Sequence, residues 1–337
     1  NDGAPDPRDH PPTRETAVGG YWESVFQARR EWWSFAPVKK PAVPTVNDSQ
    51  WSDHPVDRFI LNTLEKNKIR PASPARPETW LRRVHFVITG LPPTPEQVRA
   101  FLEDTSQDGR ARVVDQLLAS PHYGERWARH WMDLVRFAET YGHEQDYTIP
   151  HAWQYRDYLI RALNADLPYD QFVKEQVAGD LLQPARRHPV AGFNESVIGT
   201  GWWYLHQATH GPVDPAQDEA DRIDNQVDVF SKTFLGLTVA CARCHDHKYD
   251  PISQADYYSL YGVFASSEEP GGEPSPLRLV DRPQPVEPVI FVRGSPGNRG
   301  PAVPRRFPVA LSAPDAPAWQ TGSGRLELAQ AITSPAN

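Results

Sequence analysis

The sequence predicts a mainly α-helical protein, with one large helical domain and a Pro-rich, mostly irregular C-terminal extension that contains short strands. Apolar residues recur at helical spacing between about residues 53 and 183, and again between about 217 and 264. Thirteen of the 35 prolines follow residue 268, where they leave little room for helices. We therefore expect an extended leader and strap over residues 1–50, a helical domain over 51–267, and a linker that opens a second domain over 268–337.

The N-terminal 50 residues carry little helical signal. Residues 1–20 are polar and rich in Pro and Asp, which is typical of segments without a packed core. A short helix is predicted from Trp22 to Trp33. An extended strap should follow, because three prolines disfavour helix there: Pro37, Pro41 and Pro44.

Within the helical domain, two helix starts are marked by capping residues. Thr94-Pro95-Glu96-Gln97 has an N-cap, a proline in the first turn and a glutamine at N3, the pattern of a capping box. Ser120-Pro121 predicts a second start of the same kind. The helix after Ser120 should turn one apolar stripe toward the core, formed by Trp127, Trp131, Leu134 and Ala138.

A second helix pair surrounds the two cysteines of the chain. The segment 217–240 has an apolar stripe that predicts one continuous helix, formed by Ala220, Ile223, Val227, Phe230, Phe234 and Leu237. A partner helix should begin near Gln254, with its own stripe at Tyr257, Leu260, Tyr261 and Phe264. In the C-terminal extension, residues 289–292 predict a strand, and a helix restarts over 326–332 before Ser334-Pro335.

Composition excludes two classes of partner. The formal net charge is −8 and no run of Lys and Arg offers a footprint for phosphates, so nucleic acid is not expected. No apolar stretch is long enough to span a bilayer. The N-terminus lacks the charged and apolar regions of a signal peptide, so we expect a mature product or an excised segment.

The only two cysteines lie in Cys241-Ala242-Arg243-Cys244-His245, which has the C-x-x-C-H spacing of c-type haem attachment. Two thiols three residues apart can each bond one vinyl group of a porphyrin, and the following histidine can coordinate iron from the same side. The motif therefore predicts one covalent haem, held by Cys241 and Cys244, with His245 as the proximal ligand. Cytochrome c maturation takes place outside the cytoplasmic membrane, so an extracytoplasmic or periplasmic location and a removed export signal are expected.

Three other interpretations of the cysteine pair stay open. A Cys241–Cys244 disulfide would close too small a loop to stabilise a large domain much. Zinc could recruit both thiols and His247, but no other cysteine supplies a second ligand pair. A thioredoxin-like dithiol would need a βαβ context, which the pattern lacks.

The remaining ligands of the iron would set its chemistry, because two protein ligands favour electron transfer and an open position admits small molecules. Met132 is the only methionine and lies beside the tryptophan stripe, which favours packing over ligation. His206 and His210 should share one helix face, and either could be the distal ligand. His247 and Lys248 follow the motif and could bind a haem propionate or a backbone carbonyl.

Two polar clusters offer further chemistry. His143, with Glu144, Asp146 and His151, follows an apolar helix, and His143 and His210 are the candidate acid–base residues. Calcium is a candidate second cofactor because it takes several oxygen ligands. Its ligands could come from an acidic run that otherwise reads as a solvated helix face: Asp218, Glu219, Asp221 and Asp224.

Several long strings resemble one family in the same order along the chain. They are TGLPPTP, ASPHYGERWARHWMDLVRFAETYGHEQD, AWQYRDYLIRALNADLPYDQFVKEQVAGDLL and QDEADRIDNQVDVFSKTFLGLTVACARCHDHKYDPIS. Over about residues 50–267 the chain resembles the planctomycete-type cytochrome c proteins, large exported proteins of unknown activity. FVRGSPGNRGPAVPRRFPVALS and GRLELAQAITSPAN resemble the linker and the opening of the second domain that usually follows. Met132 lies where relatives commonly carry leucine.

The resemblance implies covalent haem, export and a redox role, and family members often accompany sulfatases and polysaccharide-degrading systems. We therefore expect a mono-haem domain acting in electron transfer or as the haem part of a redox enzyme. The alternatives are a carbohydrate-active protein with an auxiliary haem and a scaffold without catalysis. A groove of Trp153, Trp202 and Trp203 would favour the carbohydrate alternative. Expected partners are the rest of the second domain or a companion chain, a redox partner and a polysaccharide.

Overall fold

The computed structural model describes residues 21–143, 146–270, 277–313 and 316–334. Its regular structure is mainly α-helical, which confirms the predicted class. In chain order the helices are α1 (Tyr21–Arg30), α2 (Pro55–Lys66), α3 (Pro77–Ile88), α4 (Pro95–Glu103), α5 (Gly109–Leu118), α6 (Pro121–Leu134), α7 (Ala152–Asn164), α8 (Tyr169–Ala178), α9 (Pro215–Phe230), α10 (Gln254–Ala265) and α11 (Arg325–Ile332). The predicted leader over residues 1–20 lies outside the described residues, as do Glu144, Pro274, Pro276, Pro314 and Pro335.

The predicted helix starts are present. Thr94 accepts a hydrogen bond from the Gln97 amide and Gln97 returns one to the Thr94 amide, so the capping box is complete. Ser120 accepts from the His122 amide at the start of α6. Residues 37–46 have no regular structure, as the three strap prolines predict.

Helix α6 faces the core differently from the prediction. Trp127 and Leu134 are 38% and 53% exposed, while Ala128 and Val135 are fully buried. The reason is close packing against α7: a side chain at Gly124 would lie 2.5 Å from the carbonyl oxygen of Ile160. Small residues therefore form the closest contact with α7. Of the predicted stripe, only Trp131 packs inward, where its indole nitrogen donates to the Tyr155 hydroxyl of α7 at 3.2 Å.

Helices α9 and α10 form the centre of the core. Ile223, Val227 and Phe230 on α9 are buried, and so is Phe264 on α10. The rings of Phe230 and Phe264 meet edge-to-face at 5.3 Å between centroids. The side chains of α9 and α10 therefore fill the interface between the two helices.

The predicted continuous helix up to the cysteine motif is also wrong. Helix α9 ends at Phe230 and passes into one π-helical turn, Ser231–Leu235. Gly236 then takes a left-handed conformation with φ 66°, which glycine adopts without steric cost and which ends the helix. A separate 3₁₀ turn, Val239–Arg243, carries the first cysteine.

The C-terminal extension contains the predicted short strands and a final helix. Strands β1 (Ser267–Glu268) and β2 (Val280–Asp281) pair antiparallel, as do β3 (Val289–Phe291) and β4 (Arg299–Ala302). Helix α11 packs against α8, where the fully buried Arg325 binds Asp180 at 2.6 Å and Asp281 at 2.7 Å. The division into a helical domain and a second domain stays a prediction. Among the described residues, no helix combines the length and apolar character that a membrane span requires.

Candidate functional site

The C-x-x-C-H motif lies at the surface. Cys241 and Cys244 are both exposed, and both are free thiols rather than a disulfide. The 3₁₀ turn Val239–Arg243 buries Val239 and Ala242 and leaves the intervening Cys241 outside. Val239 and Ala242 anchor the turn in the core, and the two cysteine sulfurs stay accessible at the surface.

His245 has one ring nitrogen engaged and one available. Its Nδ1 lies 2.7 Å from the backbone oxygen of Asp246. A carbonyl oxygen can only accept, so Nδ1 carries the proton and Nε2 keeps its lone pair. An Nδ1–H donated to a backbone carbonyl is how a metal-ligating histidine is usually fixed.

His247 has the opposite environment. It is 4% exposed, and its Nδ1 accepts from the amides of Tyr249 at 3.1 Å and Asp250 at 2.7 Å. Its Nε2 therefore carries the proton and donates to the Thr238 hydroxyl at 3.0 Å. Burial, the largest cause, lowers the pKa of His247. Both nitrogens brace the loop, whereas the neighbouring Lys248 is exposed with its ammonium 5.2 Å from the Tyr249 ring centroid.

Two other elements hold the backbone of this loop. On α1, Arg29 donates to the carbonyl oxygen of His247 at 2.6 Å and also reaches that of Lys248. On α10, the side-chain nitrogen of Gln254 donates to the backbone carbonyl of Arg243 at 2.9 Å. The backbone N–H of Gln254 donates to the Asp246 carboxylate, also at 2.9 Å. The motif loop is therefore held by α10, which follows it closely in sequence, and by α1, which is distant in sequence.

Gly294 lies directly against the second cysteine. A Cβ at this position would come within 2.6 Å of the Cys244 sulfur. The residue also has a φ of 75°, in the left-handed region that favours glycine. A glycine is therefore required here by both the backbone and the space around the sulfur.

Arg243, inside the motif, connects it to α9. Its guanidinium binds Asp221 at 2.6 Å and Asp224 at 3.4 Å, and Tyr257 donates to Asp224 at 2.6 Å. Glu219 instead binds Arg222 at 3.0 Å. The acidic run proposed for calcium thus diverges to separate cations, and among the described residues no group of three or more His, Cys, Asp or Glu side chains could hold a metal.

His206 and His210 lie against two tyrosines that flank the predicted His143 cluster, and neither histidine is on a helix. The 3₁₀ segment Ser196–Tyr204 ends before His206 and His210, so the expected shared helix face is wrong. The His206 ring lies 5.8 Å from that of Tyr141, and the His210 ring 5.9 Å from that of Tyr147. His143 itself is exposed and left-handed, with φ 63°.

Two side-chain expectations have clear outcomes. Met132 packs against the core cluster, as its neighbours predict. The tryptophan groove is wrong, because Trp202 and Trp203 are fully buried while Trp153 is 49% exposed. The indole nitrogens of Trp202 and Trp203 both donate to the backbone carbonyl of Gln176, at 2.9 and 3.3 Å, as is usual for buried tryptophans.

One polar cluster has no signature in the local sequence. Glu269, just after β1, binds Arg222 of α9 at 3.0 Å beside Tyr141 and Tyr204. No local motif marks Glu269, because its partners lie about 45 to 130 positions away. The charges within the DEADRID string were a usable signal, since an arginine on a half-buried helix needs a carboxylate partner.

Fold and site together define a mainly helical protein with an exposed, braced C-x-x-C-H motif. The chain belongs to the PSCyt2 family, described as a protein of unknown function (DUF1549), whose model matches residues 55–269 of the 337. No curated protein and no solved structure matches the chain. The match covers α2 to α10 and ends at Glu269.

Proposed function

We propose that this chain is an extracytoplasmic, mono-haem c-type cytochrome domain of planctomycete type, acting in electron transfer or as the haem part of a redox enzyme. The single observation that carries the proposal is the geometry of the motif. Two free, exposed thiols precede a histidine whose Nδ1 is bound and whose Nε2 is available. The family description is compatible with this function and names none.

The residues present fit a covalent haem. Cys241 and Cys244 would hold the porphyrin by thioether bonds, and His245 would be the proximal iron ligand. The missing Cβ at Gly294 leaves the space that the Cys244 sulfur occupies. When bound, the haem supplies a one-electron iron couple whose potential depends on its axial ligands and hydrogen bonds.

The chain's own residues restrict the position of the proximal ligand. The Asp246 carbonyl fixes the tautomer of His245, and the α10 amide of Gln254 holds the Asp246 carboxylate. This second layer holds the orientation and tautomer of the His245 ring. Lys248 is exposed beside the motif and is available to an anionic group such as a propionate.

A distal ligand from His206 or His210 belongs to this proposal as well. His206 donates Nδ1–H to the Gln207 carbonyl at 3.2 Å, which leaves its Nε2 free in the same way as in His245. Burial lowers its pKa and so favours the neutral form that ligates iron. A redox partner and export follow from the same proposal.

The test is production of the chain in a host that exports it and matures c-type cytochromes. We expect a Soret band, a pyridine haemochrome spectrum and a protein mass increased by one haem. Cys241→Ser combined with Cys244→Ser should abolish the covalent mass, and His245→Ala should shift the spectrum. His122→Ala, an exposed histidine of α6, is the matched control and should change neither.

An unmodified mass, with a reference cytochrome matured in the same cells, would overturn the proposal. If the haem is present, carbon monoxide binding distinguishes an electron-transfer role from a role as the haem part of a redox enzyme. Rapid binding to the reduced protein indicates an open iron position and enzyme chemistry, while slow or absent binding indicates a second protein ligand and electron transfer.

A further inference from the structure

A second polar cluster forms where four separate chain segments meet. The segments are the loop after α6, the end of the 3₁₀ segment Ser196–Tyr204 with the stretch that follows it, helix α9, and the residue after β1. We call its six residues the Glu269 cluster: Tyr141, Tyr204, His206, Arg222, Gln226 and Glu269. It lies outside the cysteine motif, and of its six residues only His206 enters the haem proposal, as one of two candidate distal ligands.

Glu269 is the centre of the cluster. One carboxylate oxygen, Oε1, accepts from Arg222 at 3.0 Å and from the Gln226 amide at 3.5 Å, and the side chain is 21% exposed. Its other oxygen accepts no hydrogen bond within the part of the chain that the structure describes. Burial raises the pKa of Glu269 to about 7 despite Arg222, and the charge of Glu269 adds to burial in raising the pKa of Tyr141.

Gln226 supplies an independent sign of a ligand. It is 1% exposed, and its amide nitrogen is used by Glu269 and by the Trp203 carbonyl at 3.2 Å. Its side-chain oxygen is buried and has no hydrogen-bond partner. An unpaired buried carbonyl of this kind costs about 1–3 kcal/mol, so a group that donates to it would be stabilised.

The unused hydrogen-bonding groups of the cluster are mostly acceptors. His206 keeps its Nε2 lone pair because Nδ1 donates to Gln207. The Tyr141 hydroxyl makes no hydrogen bond among the described residues, and its half-buried ring lies beside that of His206.

The ion pairs of the cluster join Arg222 to both Glu219 and Glu269 at 3.0 Å, and Arg282 to Glu219 at 3.3 Å. Arg278, whose backbone oxygen accepts from the Tyr204 hydroxyl, adds a further positive charge beside the cluster. A cation would be repelled by these arginines and an anion by the unused acceptors, whereas a neutral ligand that donates several hydrogen bonds suits both.

We propose that the Glu269 cluster is a binding site for a neutral, polyhydroxylated ligand. Hydroxyl groups donate to Gln226, His206 and the free oxygen of Glu269. The Tyr141 ring covers the apolar face that such a ligand presents, and the buried Gln226 and Tyr204 form the floor.

The test uses the whole chain and isothermal titration with D-xylose, D-galactose and cellobiose, with glucosamine as the cationic arm. We expect saturable binding of at least one neutral sugar. Tyr141→Ala and Gln226→Met should each weaken it at least tenfold, since each removes a direct contact. Tyr169→Ala, an exposed tyrosine on α8, is the matched control and should leave binding unchanged.

Tyr141→Phe keeps the ring and should lose only part of the affinity. This intermediate result distinguishes loss of a ligand contact from misfolding of the Tyr141→Ala variant. Three results would overturn the proposal: no saturable binding of any neutral sugar, binding of glucosamine alone, or sugar binding that persists in both Tyr141→Ala and Gln226→Met. The titration is therefore made on the Cys241→Ser, Cys244→Ser double variant, which carries no covalent haem and leaves His206 unligated. Failure of the haem proposal and failure of this one are then distinguishable.

Discussion

The cysteine motif and the Glu269 cluster both attach to helix α9, yet they present their chemistry in opposite ways. At the motif, the reactive sulfurs and His245 are exposed, and the surrounding backbone is held by Arg29, Gln254 and His247. At the cluster, the polar groups themselves are largely buried and hold one another.

The difference shows what each arrangement requires. An attachment motif needs only nearby residues of the right type, since its spacing already sets the reach of each group. A cluster of side chains from four segments exists only after the chain has folded, and its free energy depends on every partner being in place. Four substitutions test this contrast, from the largest expected effect to the smallest.

The first compares the two histidines of the motif loop, both in the Cys241→Ala and Cys244→Ala background. His247→Ala should lower the free energy of unfolding by about 3–4 kcal/mol, because it removes a buried ring and leaves two amides and one hydroxyl without their partner. His245→Ala should change it by less than about 0.5 kcal/mol, as expected for an exposed side chain. Urea unfolding monitored by fluorescence measures both, and equal effects would contradict the contrast.

The second concerns pH and Glu269. Its pKa is about 7 in the folded protein, against 4.5 ordinarily, so the folded state binds the proton more tightly than the unfolded state. Stability from this group is full below about pH 4.5 and is lost as pH rises toward 7, by at most about 3 kcal/mol. Arg222, Glu219, Tyr141 and Tyr204 are the charged and titratable groups that face it.

Glu269→Gln should therefore have the same free energy of unfolding as the parent near pH 4.5 and a higher one near pH 8. Urea unfolding across this range measures the difference. Glu268→Gln, an exposed neighbour, is the control and should track the parent throughout. Parallel curves for Glu269→Gln and the parent would show that the cluster does not desolvate this carboxyl.

The third tests the link between the motif and α9. Arg243→Gln removes ion pairs to Asp221 and Asp224 from a side chain that is 14% exposed, and should cost about 1–2 kcal/mol. Lys232→Gln removes an exposed pair with Asp228 and should cost less than about 0.5 kcal/mol. Equal costs would mean that Arg243 does not anchor the motif.

The fourth should have the smallest effect. Met132→Leu conserves volume at a side chain packed against the core and should cost less than about 1 kcal/mol. The visible spectrum of the haem-loaded protein should not change, since Met132 is a packing residue. A spectral shift would contradict the packing role and would place Met132 at the iron site.

Much of the fold could be read from local pattern. Thr94 and Ser120 start helices because a side-chain oxygen beside a proline satisfies free amides, whatever the rest of the chain does. The strand at 289–291 and the helix at 325–332 were similarly marked. The orientation of α6 was not, because the close approach of α7 at Gly124 outweighs the apolar stripe.

The sequence by itself determined the mainly helical class and the C-x-x-C-H motif, since both depend on residues within a few turns of each other. Only the tertiary structure decided that the motif is exposed, that His245 and His247 have opposite roles, and that Glu269 meets Arg222 and Tyr141. These outcomes depend on burial and on hydrogen bonds between residues distant in sequence. Such energies exist only once the chain has packed.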